Sequence, residues 1–353
     1  MGAGSNVGPH LSNWRPVFRF IARRLVIMPF LLFGIVTISF AISRFIPSDP
    51  LISIVGERQL NDPLIVQAAK ERWGLDKSMF GQYTSYVSNL AKGDLGISFR
   101  TKTPVVGDLL ERLPATFELA ITAMFFGAIG GVLLGVLAAS KRNKLADHVS
   151  RLFALVGSSL PVFWLGLVLL YVFYARLGLM PGPGRLPSRV DAPPDVTGFY
   201  LFDAVVSGKF DLAWSIVQRL LLPAFALGWG LMGIISRLVR SSVLDELQAD
   251  YVRTARAKGL TERVVLYKHA LRNALLPVLT VTGFSIASLL TGAVLTETIF
   301  SWNGVGSYAV AATRSLDYPA INGICILGGI VFLISNLVTD VLYAYADPKI
   351  RLA

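Results

Sequence analysis

"YPAINGICILGGIVFLISNLVT", Tyr318 to Thr339, runs for 22 residues without an aspartate, glutamate, lysine or arginine. A bilayer core about 30 Å thick takes roughly 20 helical residues to cross, and each charge at its centre costs about 2.5–3.5 kcal/mol on insertion scales. A buried helix of a water-soluble protein rarely stays so free of charge for so long. The stretch therefore reads as a membrane span.

The same test picks out five more windows: Leu25–Ile46, Ala115–Ala139, Leu152–Ala175, Leu220–Ser236 and Ala274–Thr296. The last three of these are also free of charged side chains. A chain that is 54% hydrophobic and 16% charged belongs with membrane proteins, so the expected fold is an all-α integral membrane protein with six transmembrane helices. The shortest window, Leu220–Ser236, carries Pro223, Gly228, Gly230 and Gly233, which read as breaks that neighbouring helices would have to satisfy. Gly127, Gly131 and Gly135 recur every four residues, a spacing that lets two helix backbones approach closely. No internal repeat is visible.

The net charge of +11 is informative by side. Arg15, Arg19, Arg23 and Arg24 precede the first span; Lys141, Arg142, Lys144 and Arg151 join the second to the third; a basic stretch joins the fourth to the fifth. Lysine and arginine collect on the cytoplasmic side, which puts both termini inside the cytoplasmic (inner) membrane of a bacterium and the loops 47–113 and 177–218 outside. The expected organisation is a cytoplasmic segment 1–24, a first span 25–46 too long for a cleaved signal, and a periplasmic insertion 47–113. A five-helix core 114–345 follows, with a cytoplasmic loop 240–273 inside it, and then a cytoplasmic tail 346–353.

The insertion reads as folded. Asn61-Asp62-Pro63 offers a cap followed by proline, with Gly74 as the stop. Phe80, Tyr83, Val87 and Leu90 make one apolar helical face that ends at Gly93. "TKTP", Thr101–Pro104, opens a helix leading through Pro114 into the membrane. The outer stretch Leu179–Asp195, rich in proline and glycine, reads as irregular.

"DYVRTARAKGLTERVVLYKHALRNALLPV", Asp250–Val278, sets eight charged residues and His269 in this apolar chain. Catalysis needs a nucleophile with its base, or paired carboxylates, and His269 has neither at helical spacing. His10 and His148 lie in other segments, and Cys325 stands alone, so no metal set, disulfide or cofactor site emerges. Nucleic-acid binding lacks an aromatic platform and a recognised fold. The pattern that remains is a helix through "DELQADYVRTARAKG", a glycine turn at Gly259, and a second helix Glu262–Asn273 capped by Thr261 that enters the membrane at Pro277: a two-helix elbow.

Arg253-Thr254-Ala255-Arg256-Ala257-Lys258-Gly259, with "HALRNALLPV" after it, resembles the cytoplasmic loop of permease subunits of ATP-binding-cassette importers, most closely the dipeptide and oligopeptide branch. "FIPSDP" (Phe45–Pro50), "GDLGIS" (Gly93–Ser98), "TETIFSWNGVG" (Thr296–Gly306) and the tail "NLVTDVLYAYADPKIRL" (Asn336–Leu352) extend the likeness over nearly the whole chain. The resemblance implies the type I importer permease fold and a coupling helix that seats in a soluble ATPase, formed here by Tyr251, Arg253, Thr254, Ala255, Arg256, Lys258 and Gly259. Arg253 stands where the general permease motif has glutamate, so no salt bridge carries over from that glutamate.

The resemblance further implies a second, similar permease subunit, one or two ATPase subunits that bind ATP and magnesium, and an extracytoplasmic solute-binding protein. No phosphate-binding loop occurs in this chain; "SGKF", Ser207–Phe210, lacks the flanking residues. Peptides are the implied solute, with nickel, glutathione, opines and sugars also carried in the branch. Ser158, Ser285, Ser288, Thr291 and Glu297 are the expected candidates for a polar path, although hydroxyls in a span can also bond their own backbone, and Glu297 reads equally as a solvated or capping carboxylate. An ion-coupled transporter is the rival, since a coupling ion needs ionisable residues deep in the membrane. Glu118, Arg44 and Asp340 read as side chains reaching for the surface. A membrane scaffold is a third reading.

Overall fold

The computed structural model describes residues 15–45, 50–56 and 59–346. Among them the chain is helical, with no strand and one isolated bridge between Ile97 and Pro104. "FIPSDP" falls largely, and the tail beyond Ala346 wholly, outside the described residues.

Four helices are each long and apolar enough to cross a membrane: α1 (Arg15–Phe45), α5 (Val105–Ser140), α9 (Phe210–Glu246) and α15 (Tyr318–Ala346). Two bent pairs bring the number to six. The first is α6 (Leu145–Ser159) with α7 (Val162–Leu169), whose axis continues as a π-helix over Leu170–Arg176; the halves meet at 109°. The second joins the elbow's α11 (Glu262–Val264), a π-helical Val265–Ala270 and α12 (Leu271–Ala274) to α13 (Leu276–Ile299) at 46°.

Three expectations about the spans need correction. Leu152–Ala175 is not one rod, because Pro161 cannot donate to the preceding turn and the chain turns there. Leu220–Ser236 is not broken at all: α9 runs 37 residues straight through Pro223. Its glycines serve contact instead. A Cβ on Gly228 would lie 2.4 Å from the Ala123 carbonyl oxygen, and one on Gly233 would lie 2.3 Å from that of Ala154. The first helix, finally, starts ten residues before Leu25, at Arg15.

The core is built on α5 against α9, the most extensive helix contact in the fold. Gly127, Gly131 and Gly135 of α5 face Leu231, Ile235 and Val239 of α9; a Cβ on Gly131 would lie 2.7 Å from that of Ile235. The glycine stripe thus does what its spacing implies, and it brings Leu119, Ala123, Leu220, Leu227 and Val243 into one buried cluster. At about 1.5 Å per residue, α5 and α9 are each roughly 55 Å long, so their ends stand clear of a bilayer core about 30 Å thick.

Between α1 and α5 lie α2 (Pro50–Val55), α3 (Pro63–Trp73) and α4 (Met79–Ala91). Asp62 caps α3 by accepting from the Leu64 amide at 3.0 Å, and Gly74 closes it in the left-handed region. Ser78 caps α4, which ends just before Gly93. Between α7 and α9 the chain is irregular except for α8 (Tyr200–Val206), which packs on α9. The fold is completed by α10 (Asp250–Ala257) in the elbow and α14 (Val305–Arg314) between α13 and α15.

Candidate functional site

The elbow begins where α9 ends at Glu246, so Asp245 and Glu246 belong to the span's helix and α10 starts afresh at Asp250. It stops in a glycine-closed turn. The Leu260 amide donates to the Ala255 carbonyl at 3.3 Å and the Gly259 amide to that of Arg256 at 2.9 Å, with Gly259 at φ +76°; this is the pairing that satisfies a helix's last carbonyls. Thr261 occupies the cap position of the next helix, but its hydroxyl makes no capping bond.

One face of α10 is apolar and turned inward. Val252 and Ala255 are buried with Val265 and packed against Leu247, which fixes the angle between the two halves. Arg256 clamps them from outside: its Nε and Nη2 donate to Glu262 at 2.8 and 3.2 Å, and Nη1 donates to the Leu247 carbonyl at 3.4 Å. The carboxylate holds the guanidinium above its ordinary pKa. Tyr251 donates to Glu246 at 2.5 Å and accepts from Asn273 at 3.1 Å; burial, then that acceptor, pushes its phenol pKa up.

The seven elbow residues are therefore adjacent but not alike. Ala255 supports the elbow from within, Gly259 shapes its turn, and Tyr251 and Arg256 brace it. Arg253, Thr254 and Lys258 face outward. Arg253 meets only Asp250, at 3.3 Å with both side chains largely exposed, a type of pair that contributes about 0–1 kcal/mol. Its charge stays available to a partner.

The path candidates are not gathered into one site. Ser158 ends α6 and accepts from Arg237 of α9 at 2.9 Å. On α13, Ser285 donates to its own helix at the Val281 carbonyl, 2.7 Å away, while Ser288 is exposed. The side chain of Thr291, like that of Asp340, lies outside the described residues.

Glu297 is fully buried, and it is a cap. It accepts from the Thr116 hydroxyl at 2.6 Å and from the Ser307 amide in the first turn of α14 at 2.9 Å. Thr116 in turn accepts from the Val305 amide at 2.8 Å, and the neighbouring Trp302 indole donates to the Ala115 carbonyl at 2.9 Å. The "TETIFSWNGVG" stretch thus ties α13, α14 and α5 together on the side opposite the elbow.

That outer side is held by carboxylates which sequence reasoning passed over. Glu118 does not reach for the surface: it is buried, pairs with Arg185 at 2.8 Å and accepts from the Leu201 amide at 2.8 Å. Arg185 lies 3.6 Å from the centre of the Tyr200 ring. Asp317 accepts from the Ser98 hydroxyl and the Phe99 and Arg100 amides at 2.5, 3.0 and 3.1 Å. Asp108 accepts from Thr101, Thr103 and Tyr308. At the opposite end Asp147 receives both arms of Arg240, at 2.8 and 2.9 Å. Among the described residues no cluster of metal-ligating side chains occurs.

A bundle of apolar spans with a braced basic elbow at one end, and with its buried carboxylates spent on ion pairs and caps, is the make-up of a membrane transport subunit. The chain belongs to the family described as "Binding-protein-dependent transport system inner membrane component", which matches residues 131–352, and its amino-terminal companion matches residues 17–120. It is 46% identical over 333 residues to the di/tripeptide transport system permease protein DppB of Pseudomonas aeruginosa, covering 94% of this chain and 98% of that one. Identity is 44% to a dipeptide permease of Alkalihalophilus pseudofirmus, over 93% and 98% of the two chains, and 43% to a probable D,D-dipeptide permease of Escherichia coli, over 90% and 93%. Membership makes the chain the inner-membrane permease component of an ATP-binding-cassette importer that works with an ATPase and a solute-binding protein.

Proposed function

We propose that this permease carries di- and oligopeptides, paired with a second, similar permease, with ATP and magnesium bound on the ATPase subunits and both termini in the cytoplasm. The observation that supports the peptide reading most is end-to-end similarity to permeases named for di- and tripeptides. Closure of the ATPases moves α10, and the elbow passes that motion to α9 and α13 because its two halves are locked by Arg256–Glu262 and the Val252–Ala255–Val265 contact. The spans then open toward a docked binding protein, and hydrolysis resets them. The orientation is supported by the arginines at the start of α1 and the basic α5–α6 turn.

Reconstitution with the neighbouring subunits tests this. ATP-dependent accumulation of a labelled dipeptide, stimulated by the binding protein, is expected; accumulation of nickel or a sugar in place of peptide moves the chain elsewhere in the branch. Uptake driven by an ion gradient alone would remove the coupling role of the elbow.

A further inference from the structure

A cavity of 410 Å³ lies where the end of α1, the helices α3 and α4, and the start of α15 meet. Its volume is that of a small-ligand site, about 300–1,000 Å³. Three buried polar atoms on its wall have no hydrogen-bond partner: Arg44 Nε, Tyr86 hydroxyl and Gln82 Oε1. Buried polar groups are nearly always paired, so three in one cavity mark a place built for a polar guest.

The chemistry of the wall specifies that guest. Arg44 forms no ion pair among the described residues, and its guanidinium rests 5.4 Å from the centre of the Phe40 ring. With the Tyr86 hydroxyl it offers two donors to an oxyanion. Gln82 commits its amide NH₂ to the Lys77 carbonyl at 2.8 Å, which leaves its oxygen to accept from a hydroxyl or ammonium. Phe40, Leu95 and Phe99 supply an apolar side. The guest is an oxyanion with a nearby donor and an apolar body.

The position names its source. Only 11% of the apolar window of α1 is buried, and Phe33, Ile38 and Ile42 are exposed along it, so α1 stands at the edge of the bundle and Arg44 sits at the level where its span ends. We propose that the cavity binds one phospholipid of the adjacent leaflet, its phosphodiester held by Arg44 and Tyr86 and its headgroup amine or hydroxyl held by Gln82. The lipid ties α1 to α4 and α15 on the side where the solute-binding protein would dock.

The test uses the full chain, purified in detergent, stripped of lipid and titrated with phosphatidylethanolamine or phosphatidylglycerol while native mass spectrometry counts adducts. One lipid is expected to remain on the wild-type chain under activation that removes the rest. Arg44→Gln is expected to weaken that binding about tenfold, as loss of a charge-assisted hydrogen bond does, and Arg44→Lys to retain part of it. Tyr86→Phe and Leu95→Trp, the second filling the cavity, give the same loss by independent routes should Arg44→Gln fail to fold, which its melting curve in lipid-free detergent reports. Equal retention by the folded variants, equal binding of a glycolipid without phosphate, or displacement of the retained lipid by dialanine each overturns the proposal.

Discussion

Arg185 Nη2 lies 2.8 Å from Glu118 Oε2 with the two side chains 9% and 6% exposed, so the irregular outer loop is fastened to α5 by a pair almost wholly out of water. Removing one partner of such a pair strands a buried charge, at a cost of about 3–5 kcal/mol, whereas replacing both with apolar residues is often neutral. Glu118→Leu is therefore expected to lower the detergent melting temperature sharply. Glu118→Leu with Arg185→Leu is expected to recover much of the loss. If the double variant melts no higher than the single one, the backbone bond from Leu201 carries the stability instead.

Asp317 gathers the loop Ser98–Arg100 around the start of α15, and it is fully buried. Asp317→Ala leaves the Phe99 and Arg100 amides without acceptors, each at about 1–3 kcal/mol. Asp317→Asn keeps one carbonyl oxygen and is expected to lose less. Hydrogen exchange at residues 98–101 distinguishes them: fast in the alanine variant, intermediate in the asparagine one.

The glycines of α5 separate contact from propensity. Gly131→Ala places a Cβ 2.7 Å from that of Ile235 and 2.9 Å from the Met232 carbonyl oxygen, and overpacking of this kind costs about 1–3 kcal/mol. Gly107, on the same helix, has nothing within 4 Å of a built Cβ; Gly107→Ala gains helix propensity of about 1 kcal/mol. The two substitutions are expected to shift thermal unfolding in opposite directions. Equal shifts would mean that the α5–α9 contact yields freely.

What the sequence disclosed, and what it withheld, divides by distance along the chain. Asp62, Pro63 and Gly74 act within their own helix, so cap and stop are visible in the residues themselves. The stripe Gly127, Gly131, Gly135 announces a close neighbour, though not that the neighbour is α9. Glu118, Thr116 and Asp317 find partners 67, 181 and 219 residues away, and no local pattern carries that information. The one available signal was Asp317 before Tyr318-Pro319, a cap followed by an early proline. Pro161 misled for the opposite reason, since membrane helices tolerate proline and only packing decides whether the helix bends there or, as at Pro223, continues.

The elbow allows shape and charge to be tested apart. Gly259 has φ +76° and open space around a built Cβ, so its conformation matters and its small size does not. Gly259→Ala then costs about 1 kcal/mol for a side chain in the left-handed region and is expected to keep most ATP-driven uptake. Gly259→Pro removes the amide bonded to Arg256 and fixes φ near −65°, so uptake is expected to vanish while membrane insertion persists. Ala255→Trp acts from inside: Ala255 is 6% exposed against Leu247 and Val265, and an indole there forces the halves apart, uncoupling ATP hydrolysis from uptake. Arg253→Glu with Lys258→Glu leaves that architecture untouched and reverses the outward charge. Co-purification of the ATPase is expected to weaken for this variant, and for the wild-type chain to weaken as salt rises from 0.05 to about 0.5 M, because exposed pairs are screened over about a Debye length. ATPase retention that ignores both the charge reversal and the salt would place the docking surface elsewhere on the elbow, with the exposed Leu260 and Tyr267 as the next residues to substitute.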